Sequence, residues 1–340
     1  MALTISLDAM GGDHGPSVVV PAAVAVINEI PDLRLILVGK KQILESALSK
    51  ETGAGKDRIR VLHASQEVTM DESPAVVLRT KKDSSMRVAI NLVREGEAQA
   101  CVSAGNTGAL MATARFVLKT IPGIDRPAII STLPTINGHT HMLDLGANVD
   151  NSAEQLFQFA LMGSVLTAAV NGKPRPTVGL LNIGSEDLKG NEQVKQAAVL
   201  LANSDLNYIG FVEGDDIAKG TVDVVVCDGF VGNIALKTTE GVAKMIAHFM
   251  KQEFNRNFLT KLSGVLVLPV LNGLKKRIDP RRYNGATFIG LRGTVIKSHG
   301  GADRLAFATA IREAITEAQK AIPDLIGQQL ETMLKERRSA

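Results

Sequence analysis

Short apolar runs alternate with longer stretches of helical periodicity along most of the chain. Several runs are apolar at nearly every position, as at residues 180–183 and 224–226, which is typical of strands covered on both faces. Strands are predicted at residues 4–7, 33–38, 60–63, 100–103, 128–132, 177–183, 208–212, 222–227, 286–291 and 294–298. Helices are predicted at residues 18–30, 108–119, 153–170, 192–202, 233–250, 302–321 and 325–335. This alternation predicts a three-layer α/β/α fold with a largely parallel sheet.

The composition is that of a folded protein in a reducing compartment. Of 340 residues, 45% are hydrophobic and 21% are charged, which excludes a disordered or fibrous chain. The length predicts one α/β unit over residues 1–340, or two lobes around a cleft. A net charge of +3, no Trp and only two Tyr argue against nucleic-acid binding. Two cysteines cannot form a disulfide scaffold, so a cytoplasmic location is expected.

Five polar, glycine-rich segments follow predicted strands, at residues 8–16, 103–108, 144–148, 184–192 and 228–233. Ligands of parallel sheets bind beyond the carboxyl ends of strands, where glycine lets the backbone approach and the next helix offers free N–H groups to an anion. Each segment alone is compatible with an ordinary turn, but five together indicate an enzyme with a phosphate site. Neither a GxGxxG nor a GxxxxGK[ST] motif occurs, so neither NAD nor ATP is indicated.

Seven motifs, in order and over essentially the whole chain, resemble the PlsX family of acyl-ACP:phosphate acyltransferases. They are DAMGGDHGP (8–16), SAGNTGALMA (103–112), LDLGAN (143–148), LNIGSEDLKGNE (181–192), VEGDDI (212–217), CDGFVGN (227–233) and GGADR (300–304). The resemblance implies a homodimer with a fold like isocitrate and isopropylmalate dehydrogenases. It implies that an acyl group passes from acyl carrier protein to inorganic phosphate, without a required cofactor. The acyl-phosphate would then serve a membrane acyl-phosphate:glycerol-3-phosphate acyltransferase in bacterial phospholipid synthesis.

This chemistry requires a phosphate site, a stabiliser for the thioester oxyanion and alignment of the two reactants. Phosphate is itself an anionic nucleophile, so no covalent enzyme intermediate is needed. Lys189 lies in a glycine-flanked loop, where a cation can hold phosphate or the thioester oxygen. Asn233 is predicted at a helix start after Gly232, and its amide can orient phosphate or the carbonyl. Lys189 and Asn233 are therefore the predicted catalytic residues, and the family resemblance points to the same pair.

Other residues of the loops are predicted to bind substrate or phosphate. They are Ser103, Asn106, Thr107, Gly12, His14 and Asp228. His14 is compatible with a general base, or with a side chain that fixes its loop through hydrogen bonds.

Carboxylates and one thiol allow further interpretations. Asp8, Asp13, Asp144 and Asp228 could ligate Mg²⁺, but structural pairing is the favoured interpretation, and no metal is expected. Cys227 could carry an acyl group, although its position after an apolar strand favours a buried, inert thiol.

Residues 258–282 form a basic, apolar segment. Residues 262–274 carry no charge, yet thirteen residues are too few to span a bilayer, which needs roughly 20. Five cations follow: Lys275, Lys276, Arg277, Arg281 and Arg282. Peripheral contact with an anionic membrane, through side chains such as Leu266 and Leu271, is predicted. A dimer interface and docking of the acidic carrier protein are the other interpretations.

Three other functions are compatible with parts of the sequence. The fold class leaves open a nicotinamide-dependent hydroxyacid dehydrogenase, and the chemistry leaves open a short-chain phosphotransacetylase. A non-catalytic membrane scaffold would not require Lys189 or Asn233.

Overall fold

The computed structural model describes residues 3–339, but not the side chains of Lys275 and of residues 334–339. The strands are β1 Leu3–Asp8, β2 Leu33–Gly39, β3 Ile59–His63, β4 Ala100–Ser103, β5 Ala128–Thr135, β6 Gly138–Leu143, β7 Val178–Leu181, β8 Tyr208–Val212, β9 Val224–Val226, β10 Ala286–Ile289 and β11 Thr294–Lys297. The helices are α1 Pro16–Glu29, α2 Lys41–Lys50, α3 Pro74–Thr80, α4 Ser85–Arg94, α5 Thr107–Leu118, α6 Ala153–Asn171, α7 Glu192–Ala202, α8 Gly214–Lys219, α9 Gly229–Phe254, α10 Phe258–Ile278, α11 Arg304–Lys320 and α12 Ile322–Ser339.

These strands form one sheet in the order β3-β2-β1-β4-β11-β10-β5-β6-β9-β7-β8. Strands β3, β2, β1, β4 and β11 are mutually parallel, and so are β6, β9, β7 and β8. Between these blocks, three successive strand pairs are antiparallel, namely β11 with β10, β10 with β5, and β5 with β6. The two parallel blocks therefore run in opposite directions, and each block carries its own set of loops at its carboxyl end. The five glycine-rich loops consequently divide into two clusters. The sequence pattern alone gives no reason to separate them.

Helices cover both faces of the sheet. In β2, Leu35 and Leu37 pack with α1 and α11, whereas Ile36 and Val38 face α4 and α5. Strand β9 divides its side chains in the same way, between α6 and the opposite face. Burial on both faces explains why these strands are apolar at successive positions. The predicted three-layer α/β/α fold is confirmed.

Several elements escape the sequence prediction. Strand β6 buries polar side chains, including Thr140 and His141, and so lacks an apolar run. Thr140 Oγ1 donates to the Val222 carbonyl oxygen at 2.8 Å, which satisfies it inside the core. Helices α2, α3, α4 and α8 were likewise not predicted.

Candidate active site

Two loop clusters carry the candidate residues. The first loop cluster consists of residues 8–16, 103–108 and 297–304, which follow the adjacent strands β1, β4 and β11. The second loop cluster consists of residues 144–148, 182–191 and 227–233, which follow β6, β7 and β9. Neighbouring parallel strands end at the same edge, so each cluster brings together segments that are far apart in the sequence.

Asp8 ties the first loop cluster together. Its side chain is 1% exposed, and Ser103 Oγ donates to Asp8 Oδ2 at 2.6 Å. Ser103 Oγ also accepts from Gly105 N at 3.0 Å. Burial raises the pKa of Asp8, although hydrogen bonds, that from Ser103 foremost, act in the opposite direction. Ser103 is thus buried and already bonded, so the predicted phosphate contact would require its hydroxyl to leave Asp8.

The other predicted residues of this cluster shape its loops. Gly12 has φ +86°, a region that favours glycine, and a Cβ there would lie 2.9 Å from the Gly300 carbonyl oxygen. Asn106 caps α5, because its Oδ1 accepts from Ala109 N at 2.9 Å. Thr107 is the first residue of α5 and is exposed, so its hydroxyl remains accessible to a ligand.

Asp144 organises the second loop cluster in a similar way. Its Oδ1 accepts from Ile129 N at 2.9 Å and from Ala147 N at 3.0 Å, and its Oδ2 accepts from Asn148 N at 2.7 Å. Burial raises the pKa of Asp144 despite these bonds. The carboxyl group therefore fixes the loop that follows β6 and joins it to the start of β5.

Helix α9 begins earlier than predicted and places Asn233 inside its first turns. Asp228 is the N-cap, since its Oδ1 accepts from Val231 N at 2.9 Å. Asn233 is the fifth residue of the helix rather than its start. A Cβ on Gly146 would lie 3.4 Å from Asn233 Cβ, so the loop after β6 passes directly beside Asn233. Asp228 therefore caps α9, and its predicted role in binding substrate or phosphate stays a prediction.

Lys189 lies in the loop after β7, as predicted. Its Nζ pairs with Glu186 Oε2 at 2.8 Å, and its carbonyl oxygen accepts from Asn182 Nδ2 at 3.1 Å. The bond from Glu186 raises the pKa of Lys189, so its amine is a cation at neutral pH. Both side chains of the pair are about half exposed or more, and exposed pairs contribute little stability. A substrate anion can therefore displace Glu186 from Lys189 at small cost.

The relation between Lys189 and Asn233 follows from the strand order. Strands β7 and β9 are parallel neighbours, with Gly179 opposite Val225. The loops that carry Lys189 and Asn233 therefore leave the sheet at the same edge. Within residues 3–339 no hydrogen bond joins the two side chains, and their joint action on a substrate stays a prediction.

The remaining candidates divide into buried and exposed groups. Asp8 and Asp144 are buried within their own loops, whereas Asp13 and His14 are exposed. In the described part of the chain, no group of three or more His, Cys, Asp or Glu side chains is arranged to hold a metal ion. Because His14 is exposed, it has room to act on a ligand, and both interpretations of this residue stay predictions.

Cys227 is enclosed beneath the second loop cluster. Its side chain is 4% exposed, and Sγ lies 3.6 Å from the Asp144 carbonyl oxygen. Burial raises the pKa of Cys227 far above that of an ordinary thiol. Cys101 is fully buried in β4, and burial raises its pKa as well. Neither thiol is accessible or ionised, which favours the inert interpretation.

Sequence reasoning missed a basic group beside the first loop cluster. Lys297 ends β11, and its side chain is only 9% exposed. His299 follows it, and Lys237 and Lys244 of α9 act electrostatically on that histidine. Helix α9 thus begins in the second loop cluster, and its Lys237 and Lys244 lie near His299 of the first loop cluster. The available signal was a lysine at the end of an otherwise apolar strand, directly before the GGADR motif.

Helices α9 and α10 form a hairpin with exposed apolar side chains. Leu266 is 76% exposed, whereas Leu271 is half-buried. Helix α10 has 21 residues and is longer than the uncharged run of residues 262–274, because Pro269 does not end the helix. By length and composition, two described stretches could cross a membrane. They are Ala153–Asn171, which is mostly buried in the core, and Phe258–Tyr283, which is not buried.

The basic residues after α10 are not equivalent. Arg281 pairs with Asp279 at 2.7 Å and with Asp303 at 2.8 Å, so it anchors the end of the hairpin to α11. Two carboxylates thus hold the Arg281 side chain, and its predicted contact with a membrane or carrier protein stays a prediction. Lys276, Arg277 and Arg282 remain partly or fully exposed, and the side chain of Lys275 lies outside the described part.

Solved structures share this fold. A phosphotransacetylase from Streptococcus pyogenes superposes with a TM-score of 0.64 at 18% identity, covering 94% of both chains. A 4-hydroxythreonine-4-phosphate dehydrogenase from Klebsiella pneumoniae superposes with a TM-score of 0.50 at 14% identity, covering 94% of this chain and all of the other. At these identities the likeness shows the fold alone. The class defined here is thus a mixed α/β fold common to phosphotransacetylases and certain dehydrogenases, in accord with the predicted fold class.

Sequence relatives identify the family. The family model described as "Fatty acid synthesis protein" matches residues 3–324. A phosphate acyltransferase of Nitrosococcus oceani is 61% identical over 336 residues, which is 99% of each chain. One of Methylococcus capsulatus is 62% identical over 327 residues, which is 96% of each chain. The chain belongs to the phosphate acyltransferase family, and its activity is acyl transfer to phosphate in fatty acid and phospholipid synthesis.

Proposed function

We propose that the acyl donor is acyl-acyl-carrier-protein and that inorganic phosphate attacks its thioester directly, giving acyl-phosphate and free carrier thiol. The observation that carries the mechanism is the burial of both cysteines, including Cys227, which lies beneath the loops that hold Lys189 and Asn233. A covalent acyl-enzyme would need an accessible nucleophile, and neither thiol qualifies.

The attack balances without any further reactant. A phosphate oxygen forms a bond to the thioester carbon, the carbonyl oxygen becomes an oxyanion, and the carbon–sulfur bond then breaks. The departing thiolate takes a proton from solvent. Lys189 and Asn233 supply a positive charge and amide donors at one edge of the sheet, where the oxyanion develops. Alignment of two reactants is worth roughly 7–11 kcal/mol, and one oxyanion donor is worth roughly 3–4 kcal/mol.

A carrier-protein donor is supported by a basic surface on the chain. Lys276, Arg277 and Arg282 are exposed beside an apolar hairpin, and such a surface complements an acidic protein. The fold shared with a phosphotransacetylase makes an acyl-CoA donor the second candidate. A hydroxyacid dehydrogenase has less support, since the chain lacks a dinucleotide-binding motif.

The test of the donor is a direct comparison. Acyl-phosphate is quantified by phosphorus NMR after equal concentrations of palmitoyl-carrier-protein or palmitoyl-CoA are mixed with enzyme and phosphate. We expect faster formation from the carrier-protein thioester, and faster formation from palmitoyl-CoA would overturn the assignment. Reduction of NAD by any 2-hydroxy acid would instead support the dehydrogenase.

We also propose that the protein is cytoplasmic and forms a homodimer that rests on the membrane surface through the α9–α10 hairpin. The support is the exposure of large apolar side chains such as Phe258, Leu259 and Leu266 next to cations, a pattern that suits an anionic lipid surface. At that surface the product would reach a membrane acyl-phosphate:glycerol-3-phosphate acyltransferase. The competing use of the same side chains is the dimer interface itself.

A further inference from the structure

We propose that Lys297 binds the phosphate substrate in the first loop cluster, opposite the thioester held by the second. This inference deepens the proposed function, on which it rests for the identity of the anion. It assigns phosphate to a specific residue and separates its site from that of the acyl group.

The first argument is the position of the Lys297 ammonium group. Nζ donates to the carbonyl oxygens of Ala104, at 3.3 Å, and of Ser298. These are neutral acceptors, and an ammonium group has three donors. Within residues 3–339 no carboxylate lies within 4.0 Å of Nζ, so this buried cation has no direct counterion. A buried charge without a partner is costly, and an anionic ligand would supply the missing one.

The second argument is the backbone around it. Gly12 packs against Ala104 and Gly300, and Asp13 N donates to the Gly300 carbonyl oxygen at 2.9 Å. The loops after β1, β4 and β11 therefore meet at Lys297. Helices α1, α5 and α11 begin directly after these loops, so three positive helix ends lie at the same edge. Glycines and helix N-termini around a lysine are suited to a small, doubly charged anion.

The third argument is the balance of charge around Lys297. Asp8 and Asp13 from β1 and its loop and Lys237 from α9 act electrostatically on Lys297. Glu240, Lys237 and Lys244 of α9 act on the neighbouring His299, as does Lys297 itself. Asp8 Oδ1 accepts no hydrogen bond of normal geometry in the described part of the chain, and burial raises the pKa of this carboxyl. Burial disfavours the charged form of Asp8, so its carboxylate is a weaker counterion for Lys297 than an exposed carboxylate would be.

Lys297 is also poised to lose its charge in the working range of pH. Burial lowers its pKa to about 8, while Asp8 and Asp13 act in the opposite direction and Lys237 adds to the lowering. The ammonium form exists below that pH and is lost above it. Anion binding at Lys297 should therefore weaken as the pH rises through about 8.

The experiment measures steady-state kinetics of Lys297→Met, with Lys320→Met, an exposed lysine at the end of α11, as the matched control. We expect the KM for phosphate to rise about ten- to hundredfold in Lys297→Met, because a hydrogen bond to a charged group is lost. The KM for acyl-carrier-protein should change less than about twofold. An unchanged phosphate KM, or an equal rise in both KM values, would overturn the inference.

Two measurements on the wild-type protein test the role of Lys297 even if the Lys297→Met variant does not fold. Sulfate does not titrate between pH 6 and 9.5, so its inhibition constant against phosphate reports on the protein alone. We expect competitive inhibition that weakens above pH about 8, and a pH-independent constant would contradict the role of Lys297. Phosphate, compared with chloride at equal ionic strength, should also raise the Tm. If it does so while no acyl-phosphate forms, the site stands and the proposed function fails.

Discussion

A methyl group at Gly232 should displace Asn233 and so test the architecture of the second loop cluster. A Cβ at Gly232 would lie well inside 3.0 Å of the Asp144 carbonyl oxygen and 2.9 Å from Cys227 Sγ. The first of these atoms is backbone, so α9 and the loop after β6 must separate by roughly 1 Å. Overpacking of this kind costs about 3 kcal/mol. For 340 residues, with about 2.1 cal/mol/K of unfolding entropy each, that lowers the Tm by about 4 °C.

The same displacement should reduce turnover far more than it reduces stability. A misplacement of about 1 Å costs about a hundredfold in rate, so kcat of Gly232→Ala should fall to about 1% of wild type. Gly241 provides the control in the same helix, because a Cβ there would meet nothing within 4 Å. Gly241→Ala should keep wild-type turnover and gain about 0.5–1 kcal/mol, the usual benefit of alanine over glycine in a helix.

Calorimetry and carrier-thiol release measure the two effects. The decisive comparison is between the two alanine variants, which add the same methyl group to α9. If Gly232→Ala matches Gly241→Ala in both Tm and kcat, then the close packing of α9 on Asp144 does not position Asn233, and our account of the second loop cluster is wrong.

Three further perturbations follow from the structure. Lys189→Ala and Asn233→Ala should each abolish carrier-thiol release at unchanged Tm, and near wild-type turnover in either folded variant would disprove the site. Glu317 is buried beside Thr287, which donates to it, and burial raises its pKa well above the usual value, with the charge of Glu313 adding to the rise. Since the folded state then holds a proton that the unfolded state releases, stability should fall as pH rises above about 4.5. Glu317→Gln should flatten this decline of Tm with pH, whereas the exposed Glu331→Gln should not. If the curves of Tm against pH are parallel for wild type and Glu317→Gln, the role of Glu317 is contradicted. Leu266→Glu with Leu271→Glu should abolish salt-sensitive sedimentation with anionic vesicles while activity on soluble carrier protein survives, and Ile136→Glu with Val199→Glu should leave sedimentation intact. If the Leu266→Glu, Leu271→Glu variant still sediments with the vesicles, the membrane proposal is wrong. If this variant dissociates into monomers in size-exclusion chromatography, the segment is instead a dimer interface.

Patterning predicted the buried strands and the loop residues well, because both depend on local composition. Residues 35–38 of β2 and all of β9 are apolar because helices cover both faces, and the loop position of Lys189 follows from its flanking glycines. The reversal of strand direction between the two blocks was not predictable, because it arises from long-range pairing of β10 with β5 and β11. Consequently the division of the loops into two clusters became visible only in three dimensions.

The roles of individual side chains depended even more on tertiary structure. Asp228 and Asn106 are caps whose oxygen atoms face the first turns of their own helices. Arg281 is held by carboxylates 2 and 22 residues away in the chain, and its sequence neighbourhood of cations does not indicate this pairing. Lys297 drew no attention in sequence because a lysine at a strand end is ordinarily exposed, and only the packing of three loops buries it.

The central claim, direct attack of phosphate on the thioester, is tested by a single-turnover experiment with and without phosphate. Enzyme in excess is mixed with palmitoyl-carrier-protein, and free carrier thiol and the intact mass of the protein are measured together. We expect neither thiol release nor added acyl mass in the absence of phosphate. With phosphate, carrier thiol and acyl-phosphate should appear in equal amounts. A burst of thiol without phosphate, accompanied by a stoichiometric acyl adduct on the protein, would contradict direct attack.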